Sequence, residues 1–260
     1  MENQNFVLLD RPEDHITVIT LNRPEAMNAI SPAVAATLEQ LVDQLEADDS
    51  VRVVILTGTG GKVFCAGADL KEVAKGNLAG LISPRYGFAG FVQAKRSKPW
   101  IAAVEGLALA GGCEIALACD MIVASDNGAF GLPEVTRGLI ASAGGLYRLP
   151  RALPKAIATE IILTANRLPS TRAAEFGMVN RLAPAGEVLG AALALAREIA
   201  VNAPVAVRES LGLVRQALDH DDATLHHLSL EAQDRIVLTQ DFQEGPRAFV
   251  EKRPARWVGR

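Results

Sequence analysis

Between Ile101 and Ala124 the chain is apolar or small at nearly every position, interrupted only by Glu105, Glu114 and Asp120. The run is long enough to suggest a membrane span, but each carboxylate would cost about 2.5–3.5 kcal/mol at a bilayer centre. A buried strand, a glycine-rich turn and a helix fit it better. Trp100–Val104 and Met121–Ala124 read as short strands, and Gly111-Gly112 as the start of the helix between them. His15–Leu21 alternates and is β-branched, and Val51–Thr57 is apolar enough to be covered on both faces. Ser31-Pro32 reads as a helix cap followed by proline in the first turn, and Val34, Leu38, Leu41, Val42 and Leu45 follow at helical spacing. Further helical patterns cover Pro154–Leu163 and Glu187–Val201, and from about Pro204 only helical patterns remain. This alternation predicts an α/β class with a largely parallel sheet over residues 1–200, followed by a helical region over 201–260.

Composition narrows the function classes. With 260 residues and 49% apolar content the chain can bury a large core, which excludes disorder and small disulfide scaffolds. The 26 basic and 30 acidic residues give a net charge of −4, so no nucleic-acid-binding field is expected. An anionic ligand must be held by local charge and backbone amides. Cys65, Cys113 and Cys119 lack metal-ligand spacing and leave an odd thiol, which suits a reducing compartment. Met1–Asp10 lacks a basic segment followed by an apolar one, so a cytoplasmic protein with no membrane partner is expected.

Three segments could carry chemistry. Phe64–Lys71 (FCAGADLK) follows the Val51–Thr57 strand, and its small residues let backbone amides approach a ligand. It reads equally as a plain turn with Asp69 as a cap. In Gly106–Ile115 the helix start at Gly111 directs free N–H groups and a positive dipole end outward, which suits an oxyanion. Glu114 sits in that first turn among Ile115, Leu117 and Ala118, where a carboxylate is costly unless paired or working; it could also simply favour the helix dipole. In Phe130–Leu139, Pro133 opens a short helix with Glu134 in its first turn, and Arg137 could be no more than an exposed partner for Glu134. Other templates fail. Gly58–Lys62 has the wrong spacing for a phosphate loop, and neither G-x-G-x-x-G nor G-x-S-x-G occurs. His15, His220, His226 and His227 form no H-E-x-x-H, and no metal is expected.

Taken together, VITLNRPEAMNAI (18–30), FCAGADLKEV (64–73), KPWIAAVEGLALAGGCEIALACD (98–120), FGLPEVTRGLIASAGG (130–145) and EGPRAFVEKR (244–253) resemble the enoyl-CoA hydratase/isomerase (crotonase) superfamily over nearly the whole chain. The resemblance implies a crotonase-like spiral of ββα repeats with a C-terminal helical trimerisation region, assembled as a homotrimer or as a hexamer of two trimers. It implies an acyl-CoA thioester substrate and no separate cofactor, since coenzyme A is part of the substrate. The backbone N–H groups of Ala66 and Gly111 are expected to hold the thioester oxygen. Ala26, Met27, Ala68, Asp69 and Leu70 are expected to contact the coenzyme, with Phe249 and Lys252 reaching it from a neighbouring subunit. Both acidic positions used by family hydratases are glutamates here, Glu114 and Glu134. Paired carboxyls suit hydration, because one can deprotonate water while the other protonates the α-carbon; Glu114 is assigned mainly to the first role and Glu134 to the second. The expected activity is reversible hydration of a 2-enoyl-CoA to a 3-hydroxyacyl-CoA, in fatty-acid or related acyl-CoA metabolism. The GLYRLPRALP stretch (145–154) and the ending Trp257–Arg260 also resemble carnitinyl-CoA dehydratases, so another lyase or isomerase on this scaffold is the alternative. A non-catalytic acyl-CoA-binding member is the third reading, which the paired glutamates disfavour. Ile140–Gly145 reads IASAGG where family hydratases often have IPGAGG, a change bordering the acyl pocket. Phe88, Phe91 and the Leu78–Gly90 stretch are expected to help line that pocket.

Overall fold

The chain opens with a hairpin. In the computed structural model, which describes residues 5–260, β1 (Val7–Glu13) and β2 (Ile16–Leu21) pair antiparallel. Residues 1–4, part of the stretch searched above for a leader, lie outside the described residues. Helix α1 (Pro32–Ala47) follows, with the Ser31 side chain accepting from the Val34 N–H and Pro32 in the first turn as the sequence predicts. It buries Val34, Ala35, Leu38, Val42 and Leu45 against the sheet side of the core. Strand β3 (Val53–Gly58) lies parallel to β2 and begins two residues later than its apolar run, because Val51 and Arg52 belong to the connecting turn.

From there the chain winds as a spiral. β3 is followed by β4 (Val63–Cys65) and the short helix α2 (Leu70–Ala74), then a small hairpin of β5 (Ile82–Ser83) and β6 (Gly87–Phe88). The next turn is β7 (Trp100–Val104), β8 (Leu107–Leu109) and α3 (Gly111–Ala118), and the third begins with β9 (Met121–Ser125) and β10 (Ala129–Gly131). Each turn contributes one strand to each of two sheets. The six-stranded sheet runs β1-β2-β3-β7-β9-β12, with β12 at Arg181–Ala183, and the four-stranded sheet β11-β10-β8-β4, with β11 at Leu168–Pro169. The remaining elements are α4 (Gly145–Ala152), α5 (Lys155–Thr164), β11 (Leu168–Pro169), α6 (Ser170–Glu175), β12 (Arg181–Ala183) and α7 (Val188–Ala200). All pairings are parallel except β1–β2 and β10–β11 within these two sheets.

The apolar runs are explained by double coverage. Val54 and Leu56 face a core that includes α1, Phe64, Phe91 and Trp100, while Val53, Ile55, Ile101 and Val123 pack against Ala192, Ala196 and Ala200 of α7. A strand clamped between two layers needs no polar face, so period-two alternation disappears. Residues beyond α7 form only helices, α8 (Pro204–Val214), α9 (Asp222–Val237) and α10 (Gln240–Glu251). Near their ends Leu238, Phe249 and Val250 stand 79–86% exposed. Among the described residues, no single helix is long and apolar enough to cross a membrane.

Candidate active site

Strands β4, β8 and β10 lie side by side, and their carboxyl ends open together into a cleft of about 1210 Å³. Each strand delivers one functional segment there. Behind β4, Ile30 forms a parallel bridge with Ala68: the Ile30 N–H donates to the Gly67 carbonyl at 2.8 Å and the Asp69 N–H donates to the Ile30 carbonyl at 2.9 Å. Extended backbone alternates its N–H directions, so the Ala68 N–H faces away from Ile30 and has no partner among the described residues. The Ala66 N–H, by contrast, is donated to the Met27 carbonyl at 3.1 Å. This corrects the expected pair: the amide free for a ligand on this loop belongs to Ala68, assigned from sequence only to the coenzyme. Asp69 caps α2 as its plain reading held, accepting from the Lys71 N–H at 3.1 Å, and also pairs with Arg23 at 3.0 Å.

Behind β8 the backbone turns sharply. Ala110 adopts φ 50°, ψ −130°, an uncommon conformation for a residue with a side chain, and its N–H donates to the Gly131 carbonyl at 2.9 Å. The turn launches α3, whose first residue, Gly111, has an N–H without a partner among the described residues. Loop and helix start are in close contact: a Cβ on Gly67, at φ +89°, would stand 2.7 Å from the Gly111 nitrogen. Only glycine permits that approach, and it brings the flanking Ala68 amide beside that of Gly111.

Glu114 lies one turn into α3 and is 3% exposed. Its Oε1 accepts from the Gly145 N–H at 2.9 Å. Burial pushes its carboxyl up to about 7, with the charge of Glu134 adding to the rise and the Gly145 and Ala143 amides opposing it. Glu134 opens a single-turn helix, Glu134–Arg137, directly after Pro133. Its Oε2 is buried with no hydrogen-bond partner, and burial raises its carboxyl above the ordinary range against its own amide and the Arg137 charge. Arg137 reaches the Pro133 carbonyl at 3.5 Å and acts on Glu134 only through its charge, with no hydrogen bond to the buried Oε2, so the exposed-pair reading fails.

The cleft gathers Ala26, Met27, Ala66, Ala68, Asp69, Leu70, Gly111, Glu114 and Glu134. Phe249 and Lys252, at the end of α10, lie outside the cleft of their own chain. Phe88 and parts of the 78–90 stretch line it as expected. Phe91 does not; it is fully buried and packs on Trp100 with ring centroids 5.1 Å apart. Sequence reasoning missed Arg23 and Arg167, and gave Lys71 no role, although all three line the cleft. Arg23 and Lys71 lie inside motifs that were read, whereas no pattern around Arg167 singles it out. Cysteine chemistry is disfavoured, since burial pushes Cys65 and Cys119 up to about 12 and raises Cys113 as well. Among the described residues no group of His, Cys, Asp and Glu is placed to hold a metal ion.

The chain as a whole is similar to known proteins. The sequence pattern of the enoyl-CoA hydratase/isomerase family matches residues 11–260. The crystal structure of an enoyl-CoA hydratase from Mycobacterium tuberculosis superimposes with a TM-score of 0.94 at 45% identity, covering 99% of this chain and 100% of that one. A short-chain-enoyl-CoA hydratase from Clostridium acetobutylicum is 37% identical over 96% of each chain. A carnitinyl-CoA dehydratase from Proteus mirabilis is 38% identical over 93% of this chain and 94% of its own. The chain therefore belongs to the enoyl-CoA hydratase/isomerase family and carries its α/β crotonase fold.

Proposed function

We propose that this protein is an enoyl-CoA hydratase, adding water reversibly across the 2,3-double bond of an enoyl-CoA thioester to give a 3-hydroxyacyl-CoA. The observation that carries the reading is that Glu114 and Glu134, each with its carboxyl raised by burial, line one cleft together with the unpartnered amides of Ala68 and Gly111. The thioester oxygen accepts from those two amides, and the dipole of α3 adds to the field there. Polarisation of the conjugated alkene makes the β-carbon electrophilic. Glu114, titrating near neutrality, takes a proton from water as its oxygen bonds to the β-carbon. Glu134, whose carboxyl is raised by burial, delivers hydrogen to the α-carbon in this reading, and the unpartnered Oε2 supports that role. The two carboxyls exchange the net proton afterwards, so no other acid is needed.

Ala26, Met27 and Asp69–Leu70 border the coenzyme end, where Arg23 and Lys71 supply positive charge for its phosphates. The exposed Leu238, Phe249 and Val250 support burial against further copies of the chain, as a trimer or hexamer. The test is a panel of 2-enoyl-CoA thioesters followed by loss of the conjugated absorbance, with Glu114→Gln and Glu134→Gln as controls. Silence across the panel overturns the hydratase reading. A second reading, lyase chemistry on a carnitinyl-type acyl group, is favoured by the likeness to the Proteus dehydratase and is tested by the corresponding thioester.

A further inference from the structure

Two guanidinium groups in the cleft form no ion pair among the described residues, although Arg137 lies near enough to Glu134 to feel its charge. Arg137 and Arg167 both line the cleft, yet the arginine ion pairs among the described residues are all made by other arginines. Arg137 has only its long contact to the Pro133 carbonyl, and the Arg167 guanidinium makes no hydrogen bond among the described residues. By contrast Arg23, at the coenzyme end, is tied to Asp69.

The strand order locates these two charges. Along the four-stranded sheet the cleft is bordered first by β4 and the Ala68 loop, then by β8 and Gly111, then by β10 leading to Glu134, and last by β11. Arg167 immediately precedes Leu168, which pairs with Phe130 of β10, and its Cγ lies 3.5 Å from where a Cβ on Gly131 would stand. Arg137 ends the turn that Glu134 begins. Both cations therefore lie across the oxyanion amides from the β4 side, where the acyl chain must run once its thioester is held. Leu109, Leu139 and Ile140 give that side an apolar wall for methylene groups.

We infer that the acyl group this cleft accepts ends in a carboxylate, bound by Arg137 and Arg167. The inference rests on the acyl-CoA reading above and narrows its substrate class. A guanidinium presents paired N–H donors matching the two oxygens of a carboxylate, and a second cation shares the charge. The same pair repels the quaternary ammonium of a carnitinyl group, so the carnitinyl-type reading loses support on the same geometry.

The test uses saturated thioesters, whose binding does not depend on turnover. Calorimetry compares glutaryl-CoA with pentanoyl-CoA, which differ in the terminal group. Glutaryl-CoA is expected to bind roughly tenfold more tightly at low salt, with the gap narrowing as salt is raised. The Arg137→Gln/Arg167→Gln variant should bring the ratio of the two affinities close to one, and Arg167→Glu should favour pentanoyl-CoA. Equal or tighter binding of pentanoyl-CoA by the unaltered protein, or a ratio that survives both substitutions, overturns the inference. Turnover separates the two proposals. A preserved glutaryl preference without hydration of any enoyl thioester sinks the hydratase reading alone, whereas hydration of neutral enoyl thioesters with an affinity ratio of one sinks the carboxylate inference alone.

Discussion

Glu114 and Glu134 share one cleft but are held by opposite kinds of structure. Glu114 rides on α3, where Leu117 alone among Gly111–Ala118 escapes full burial, and its carboxyl is pinned by the Gly145 amide. Glu134 sits on a single turn whose following residues, Val135 to Ile140, are all exposed, and one of its oxygens has no partner. One wall of the site is an extension of the core, and the other is a surface loop leaning over it. In the proposed reaction the fixed wall would carry the grip on a thioester and the activation of water. The looser wall would meet the acyl chain, and IASAGG (140–145), where hydratases often have IPGAGG, runs from it to the Gly145 amide that pins Glu114.

The largest effects should come from the carboxyls themselves. Glu114→Gln and Glu134→Gln are each expected to lower kcat by roughly 10²–10⁴ with near-normal affinity for a saturated acyl-CoA, measured by steady-state kinetics and calorimetry. Turnover unchanged in either variant would remove that residue from the mechanism. The Gly111 amide comes next. A Cβ at Gly111 would stand 2.4 Å from the Phe88 ring, so proline alone would confuse a lost donor with a clash. Gly111→Pro is therefore compared with Gly111→Ala, both in a Phe88→Ala background; the proline variant should be slower by roughly 10²–10³. Equal rates would show that this amide does not hold the oxyanion.

Stability sharpens the contrast further. Glu114 has its carboxyl raised from 4.5 to about 7 in the folded chain, mainly by burial. The folded state thus favours the protonated form, and that stabilisation is full below about pH 4.5 and lost as pH climbs through about 7. The neutral Glu114→Gln variant should gain on the order of 3 kcal/mol over the parent at pH 8 and almost nothing at pH 4, by denaturant unfolding at both values. A pH-independent difference would argue against a costly buried charge. The smallest effect belongs to the outer wall. Leu139→Ala should shift stability by less than about 0.5 kcal/mol, while changing the relative kcat/KM of short and long acyl chains.

The sequence was most legible where one local rule decides the structure. Ser31-Pro32 announces α1 through capping geometry, and Gly111-Gly112 announces α3 through the need for close approach. Strands β4, β8, β10 and β11, each two or three residues long, were not foreseen, because a pattern of period two needs more repeats to be visible. The four-stranded sheet that aligns the site was thus missed, although the loops and the helix start that follow β4 and β8 were read as ligand-facing turns. The choice of Ala66 over Ala68 failed for a related reason. Which amide is free depends on the Met27 carbonyl and on the Ile30 bridge, contacts made by a segment far back in the chain. Phe91 was placed in the pocket by its neighbourhood, yet it turns inward beneath Arg96 and beside Trp100.

The bent backbone at Ala110 has a kinetic consequence. A non-glycine residue at φ 50°, ψ −130° stores about 1–3 kcal/mol that the surrounding core must sustain. The same turn fixes the direction of the Gly111 N–H through the backbone itself. Capture of a thioester oxygen should therefore proceed in one concentration-dependent phase, with no slow rearrangement to wait for.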